Sequence, residues 1–312
     1  MVTKSKIQNP KSKMGDSVAS FIDDAFLEKL EILKIITKRG VKGPERGDHR
    51  SLQTGEGLEF LDYRKYHPGD DLRYVDWSVY GRLDKLFIKL FHAEESQTVH
   101  ILLDMSRSMA AGSPPKYVCA LRIAAAVSYI CLSNLDKIGL MCFAETIFEH
   151  RLPARGKKKY PEILRFLASL IPSGKTDLDA CLAGYAAVCR KPGIAVVISD
   201  LFDPKGYQDG LLALTHRKFD VHLLQVLAHE EIYGPQTGNF LLTDAETGEK
   251  KPILLDLPLL EQYRKRVGTY LSDIQTHCSR YGINYYLLDT KTAFEDFLLD
   301  YLTKRTLFSS GA

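Results

Sequence analysis

Asp104-Met105-Ser106-Arg107-Ser108 places one carboxylate and two hydroxyls on alternate residues. Alternate side chains of an extended segment point the same way, so these three oxygen donors can meet at one point. The run before them, Val99–Leu103, is wholly apolar except for His100, which sets the string where a buried strand gives way to a loop. Oxygen donors with a low protein charge suit a hard, octahedral cation that keeps several waters. Mg²⁺ is the expected ion, with Mn²⁺ or Ca²⁺ as possible replacements. Two further donors lie downstream. Asp200 follows a second apolar strand that closes on Ser199, and Thr176 sits in the loop entering the helix before that strand.

These donors meet only if the right elements carry them. From Thr98 onward the pattern predicts strands at Val99–Leu103, Ile138–Phe143, Phe148–Leu152, Ile194–Ser199, Val221–Leu227 and Asn284–Leu288. Helices are expected at Lys116–Leu132, Tyr160–Leu170, Leu178–Cys189, Gln262–Tyr281 and Ala293–Lys304. Strands alternating with helices imply a doubly wound, mostly parallel six-stranded sheet with helices on both faces, and the polar third strand reads as an edge. In the strand order 3-2-1-4-5-6 the first and fourth strands are neighbours at the switch point, where ligands bind beyond the strand carboxyl ends. Asp104 and Asp200 would then share one crevice. A β-hairpin, Phe240–Asp244 and Pro252–Leu255 about a Glu246-Thr247-Gly248 turn, interrupts the alternation as an insertion at about residues 229–257.

Upstream the organisation differs. Residues 1–17 read as a basic, disordered tail with Lys4, Lys6, Lys11 and Lys13. Residues 18–40 read as an amphipathic helix, with Ile22, Phe26, Leu30, Leu33 and Ile36 on one face and Gly40 as its cap. Residues 43–97 are rich in turn formers and read as a small β-rich accessory region, followed by the main domain over 98–308. A chain of 312 residues has room for one large domain and a smaller companion. Its net charge of +3 is too balanced to make nucleic acid or an anionic membrane the main partner. The six cysteines lack C-x-x-C spacing and read as thiols of a reducing compartment, so the cytoplasm is expected. The longest apolar run, Ile123–Leu132, is half the length that a bilayer span requires.

The Asp104, Ser106, Ser108, Thr176 and Asp200 set resembles the metal-ion-dependent adhesion site of von Willebrand factor A domains, over about residues 98–305. The chain is more specifically similar to the bacterial family known as domain of unknown function 58. That likeness rests on His49-Arg50-Ser51, Gly55-Glu56-Gly57, Glu59-Phe60, the run Arg64-Lys65-Tyr66-His67-Pro68-Gly69-Asp70-Asp71-Leu72-Arg73, then Asp76-Trp77 and Arg82. The resemblance implies a metal-dependent protein-binding module, an adaptor or chaperone-like partner of a MoxR-type AAA+ ATPase, with no enzyme activity. It further implies that Ser106 and Ser108 bind the metal directly and that Asp104 and Asp200 act mostly through water. Thr176 would bind by either route, and a Glu or Asp carboxylate from the partner would complete the shell. The charged residues from Arg64 to Arg82 read as a structural ion-pair network tying the β-rich segment to the main domain, with a second binding surface as the alternative.

Two rival functions have specific residues behind them. Asp104 could be the nucleophile of a Mg²⁺-dependent phosphohydrolase, although Ser106 stands where such chemistry wants a second acid. Arg155, Lys157, Lys158 and Lys159 could bind nucleic acid, although only Tyr160 offers an aromatic among them. Ser173-Gly174-Lys175-Thr176 lacks the first glycine and the preceding strand of a P-loop, and His229-Glu230-Glu231-Ile232-Tyr233 lacks the second histidine of a zincin.

Overall fold

The computed structural model describes residues 26, 59–92, 97–243, 250–294, 296–298 and 301. The basic tail, the 18–40 helix apart from Phe26, the signature residues Arg50 and Ser51, the Gly55-Glu56-Gly57 string and the Glu246-Thr247-Gly248 turn lie outside the described residues. Contacts divide the chain into two compact units, one including residues 59–92 and the other residues 97–301 with Phe26.

The smaller unit pairs β1 (Glu59–Lys65) antiparallel with β2 (Phe87–His92). The segment between them is more helical than expected. A single 3-10 turn, Leu72–Tyr74, precedes helix α1 (Trp77–Leu83). The reason is local capping: Asp71 accepts the Arg73 amide at 3.0 Å, and Asp76 accepts the amides of Ser78 and Val79 at 2.9 and 3.2 Å. Acidic residues that read in sequence as network charges are therefore also helix starts. Ion pairs are present, each within this unit. Arg64 pairs with Asp70 at 2.8 Å and Arg73 with Asp71 at 2.6 Å, and Asp76 takes both Lys89 at 3.0 Å and the Tyr63 hydroxyl at 2.8 Å. Tyr66 donates its amide to Leu86, and Gly69 adopts a φ of 105° that other residues rarely reach. Pro68 lies in the same turn, and Arg82 lies in the last turn of α1. Every one of these bonds closes inside residues 59–92.

The larger unit is a mixed α/β structure on a six-stranded sheet. Its elements follow as β3 (Thr98–Asp104), α2 (Lys116–Ser133), β4 (Lys137–Phe143), β5 (Ile147–Arg155), α3 (Tyr160–Ser169), α4 (Leu178–Val188), β6 (Ile194–Ser199), α5 (Gln208–His216), β7 (Asp220–Leu227), α6 (His229–Tyr233), β8 (Gly238–Thr243), β9 (Lys250–Leu255), α7 (Leu257–Arg280) and β10 (Asn284–Asp289). The sheet order is β10-β7-β6-β3-β4-β5, the order expected, with β5 antiparallel at the edge and the rest parallel. Alternation along the strands divides the core in two. Ile101, Leu103, Val196 and Ile198 pack with α2 on one face, and Leu102, Val197, Leu182 and Leu211 pack on the other. Helix α2 is apolar nearly all round because 14 of its 18 residues are buried. It alone among the described helices has the length and composition of a membrane span, and 78% of that window lies inside the protein.

Three expectations need correction. Parallel pairing of β6 with β7 requires a crossover, and α5 supplies it where no helix was expected. Gly210 hides this helix in the sequence, and its role is packing: a Cβ there would stand 2.9 Å from Asp179 Cα and from Leu182 Cβ on α4. The insertion at 229–257 is not all hairpin. β8 and β9 form the hairpin, but residues 229–233 are helical. Helix α7 begins at Leu257, earlier than expected, because Asp256 accepts the Leu259 amide as its cap at 2.9 Å. Phe26 is helical and buried in the α2-side core, its ring centroid 5.5 Å from that of Phe294, so this residue docks on its own chain.

Candidate metal centre

β3 and β6 run side by side with Leu103 opposite Ile198, so Asp104 and Ser199 finish adjacent strands at the switch point. Asp104 is fully buried. Its Oδ1 accepts the Ser106 amide at 2.9 Å, and its Oδ2 accepts the Ser199 hydroxyl at 2.6 Å. The first bond curls the chain so that Ser106 and Ser108 face each other, their hydroxyl oxygens 3.0 Å apart. The loop carrying Thr176 is tied to the same turn. Ser173 donates its amide to Met105 at 2.8 Å, and Arg107 donates its amide to Gly174 at 3.0 Å. Thr176 itself is buried, and the neighbouring Asp177 caps α4 and pairs with Lys205.

Asp200 is also fully buried. It accepts the Phe202 amide on Oδ1 at 3.0 Å, and Gln225 donates to its backbone carbonyl at 3.1 Å. Between them Leu201 is held at a φ of 61°, a left-handed conformation costly for a branched residue, and the Tyr270 hydroxyl bonds its carbonyl at 2.7 Å. Strain here is compensated by bonds that fix the direction of the Asp200 carboxylate. Burial, followed by the charge of Asp200, pushes the Asp104 carboxyl above the ordinary carboxylate range.

Sequence reasoning missed two residues of this site. Lys116, the first residue of α2, is fully buried and donates to Asp200 Oδ2 at 2.8 Å and to Glu231 Oε1 at 2.7 Å. Its ammonium also lies 5.0 Å from the centroid of the Phe202 ring. Glu231 belongs to the string set aside for lacking a second histidine, and it reaches the crevice from α6. One signal was available for Lys116: a cation at the N-terminal end of a long helix opposes the helix dipole and needs a reason to be there.

The donors fit a divalent cation. Among the described residues no group of three or more His, Cys, Asp or Glu side chains forms a metal cluster, so a site here rests on hydroxyls as well as carboxylates. Asp104 and Asp200 stand close enough for their carboxylates to disfavour each other's charge, and Lys116 bridges Asp200 and Glu231. A cation held between Asp104 and Asp200 would relieve that repulsion. The all-oxygen donor set selects a hard ion.

Comparison with known proteins places the chain in a family. The profile described as protein of unknown function DUF58 matches residues 62–268. Uncharacterized proteins of Mycobacterium bovis and Mycobacterium tuberculosis are each 28% identical over 260 residues, covering 81% of this chain and 81% of theirs. Among solved structures, the conserved hypothetical protein BatB from Bacteroides thetaiotaomicron aligns with a TM-score of 0.42 at 18% identity, over 67% of this chain and 98% of that one. An aerotolerance-related membrane protein from Bacteroides fragilis aligns with a TM-score of 0.44 at 19% identity, over 67% of this chain and 100% of that one. With its profile match spanning most of the sheet and the accessory hairpin, the chain belongs to the DUF58 family of proteins of unknown function.

Proposed function

We propose that the crevice at the ends of β3 and β6 binds a divalent cation, Mg²⁺ first and Mn²⁺ or Ca²⁺ in its place, and through it a Glu or Asp carboxylate of a protein partner. The observation that carries this reading is the convergence of buried carboxylate and hydroxyl oxygens at the ends of adjacent strands. Ser106, Ser108 and Thr176 would hold the ion with neutral oxygens, and Asp104 and Asp200 would act chiefly through water, as the adhesion-site resemblance implies. Because the hydroxyls add no charge, the protein leaves room for an incoming anion. A bound cation of this kind offers an open position to a carboxylate.

The chain's own residues prepare that position. The Ser106 amide and the Ser199 hydroxyl engage both oxygens of Asp104, which suits an orienting carboxylate better than a nucleophile. A role without catalysis is therefore preferred to phosphohydrolysis. The basic loop does not favour nucleic acid: Lys159 pairs with Glu162 at 3.2 Å, and so does Arg151. All six cysteines are free thiols, which supports a cytoplasmic setting. The partner favoured by the family resemblance is a MoxR-type AAA+ ATPase or a protein that such an ATPase matures.

A pull-down from native lysate tests this. The wild type in Mg²⁺ should retain proteins that are lost in EDTA and lost again with Asp104→Ala in Mg²⁺. Equal retention in all three samples would refute the proposal.

A further inference from the structure

The crevice already contains a cation, and it is covalently part of the chain. Lys116 is fully buried, its ammonium within 2.8 Å of Asp200 and 2.7 Å of Glu231. Its position opposes two physical preferences. It opens α2, where the helix dipole repels positive charge, and a buried ammonium loses several kcal/mol of hydration. Such a residue is held in place by the carboxylates around it. It stands on the very oxygen of Asp200 that is left after Oδ1 takes the Phe202 amide.

We propose that Lys116 is a tethered counter-ion that competes with the divalent cation for Asp200 and so keeps metal binding weak and reversible. The inference rests on the metal-binding reading above. A cation drawn to Asp200, directly or through water, must share Oδ2 with the ammonium or displace it. Glu231 gives the displaced ammonium a place to stay. The Glu231 carboxylate is itself fixed, since Oε2 accepts the Ala228 amide at 2.8 Å and its backbone carbonyl accepts the Tyr263 hydroxyl at 2.6 Å. Lys116 therefore need not leave the crevice when a metal arrives. Charge leads to the same conclusion. Lys116 offsets negative charge at Asp200 and Glu231 that would otherwise attract a cation. A like charge a few ångströms from a divalent ion weakens its binding even at the high effective dielectric of a protein.

The test titrates Mn²⁺ into the wild type, Lys116→Met and Lys116→Arg, following free Mn²⁺ by electron paramagnetic resonance. The Met variant should bind at least about tenfold more tightly than the wild type, and the Arg variant, which keeps the charge, should stay close to it. Binding by the Met variant alone would equally support the proposal. If the wild type binds and the Met variant binds no more tightly, the counter-ion proposal is overturned while the metal site stands. If none of the three binds, the metal reading fails and takes the proposal with it. Lys116→Met leaves the buried Asp200 carboxylate facing the half-buried Glu231 without a counter-charge, so its folding is checked by circular dichroism. Should it be unfolded, the wild type with ¹⁵N-labelled lysine decides, using Lys116→Arg to identify the Lys116 signal. That signal must shift and saturate with Mg²⁺; an unmoved signal while Mg²⁺ binds overturns the proposal.

Discussion

Acidic residues gather in two regions of this protein, and their surroundings are opposite. In residues 59–92 each aspartate of the signature has a local partner: Asp70 has Arg64, Asp71 has Arg73, and Asp76 has Lys89 and the Tyr63 hydroxyl. Lys89 first and Tyr63 next hold the Asp76 carboxyl well below the ordinary range. In the crevice, burial and the Asp200 charge push the Asp104 carboxyl upward instead. One region uses its charges to hold its own turns and caps in place. The other withholds charge from water and keeps it only partly matched, the condition in which a cation from solution has the most to gain. Acid content alone does not distinguish a ligand site from a structural network. The partners of each carboxylate do.

The sharpest way to break this comparison is to remove Asp200. Asp200→Ala strands a buried ammonium with Glu231 alone and should cost about 3–5 kcal/mol by denaturant unfolding. A cost below about 1 kcal/mol would mean that the buried pair is not what holds the crevice. Acid separates the two units next. His100 is buried with its Nδ1 2.7 Å from the Tyr185 hydroxyl, and burial lowers its pKa to about 4. The folded state thus favours the neutral ring. Its contribution is complete above the unfolded value near 6.5 and is lost as pH falls from there toward 4, on the order of 3 kcal/mol. Denaturant midpoints at pH 7 and pH 4.5 should converge in His100→Gln relative to the wild type.

The smaller unit should respond lower on the pH scale. Its folded state favours ionised Asp76, so that contribution is present above the unfolded carboxylate pKa near 4 and is lost as pH falls through the depressed folded value. Trp77, the chain's only tryptophan, opens the helix that Asp76 caps, so its fluorescence reports this region alone. The acid transition of that fluorescence should move to higher pH in Asp76→Asn. Arg64→Ala should have the smallest effect, leaving metal affinity unchanged and lowering the melting temperature only slightly, because its pair with Asp70 is partly exposed to solvent. A loss of metal binding in Arg64→Ala would erase the distinction between the two regions.

Much of this was legible because the strands of a parallel sheet are apolar on both faces. Val99–Leu103 and Ile194–Ser199 announce themselves, and the Asp at each end follows from strand order. The gaps have physical causes. Helix α5 was concealed by Gly210, present for close packing against α4 rather than for backbone freedom. Helix α1 is seven residues long and too short for periodicity, and its signal was the Asp76 cap. Lys116 and Glu231 are 115 residues apart, and no local pattern announces a pairing made by tertiary approach. Glu231 carries no recognisable local motif, since its partner is an ammonium brought near by the fold.

The most direct test of the central claim is calorimetric titration of Mg²⁺ and Mn²⁺ into the purified full chain and into Asp104→Ala. The wild type should take up one divalent ion, and the variant should bind it at least about 100-fold more weakly while keeping its circular dichroism spectrum. Equal affinities in the two proteins, or no uptake of either metal by the wild type and by Lys116→Met alike, would contradict the account.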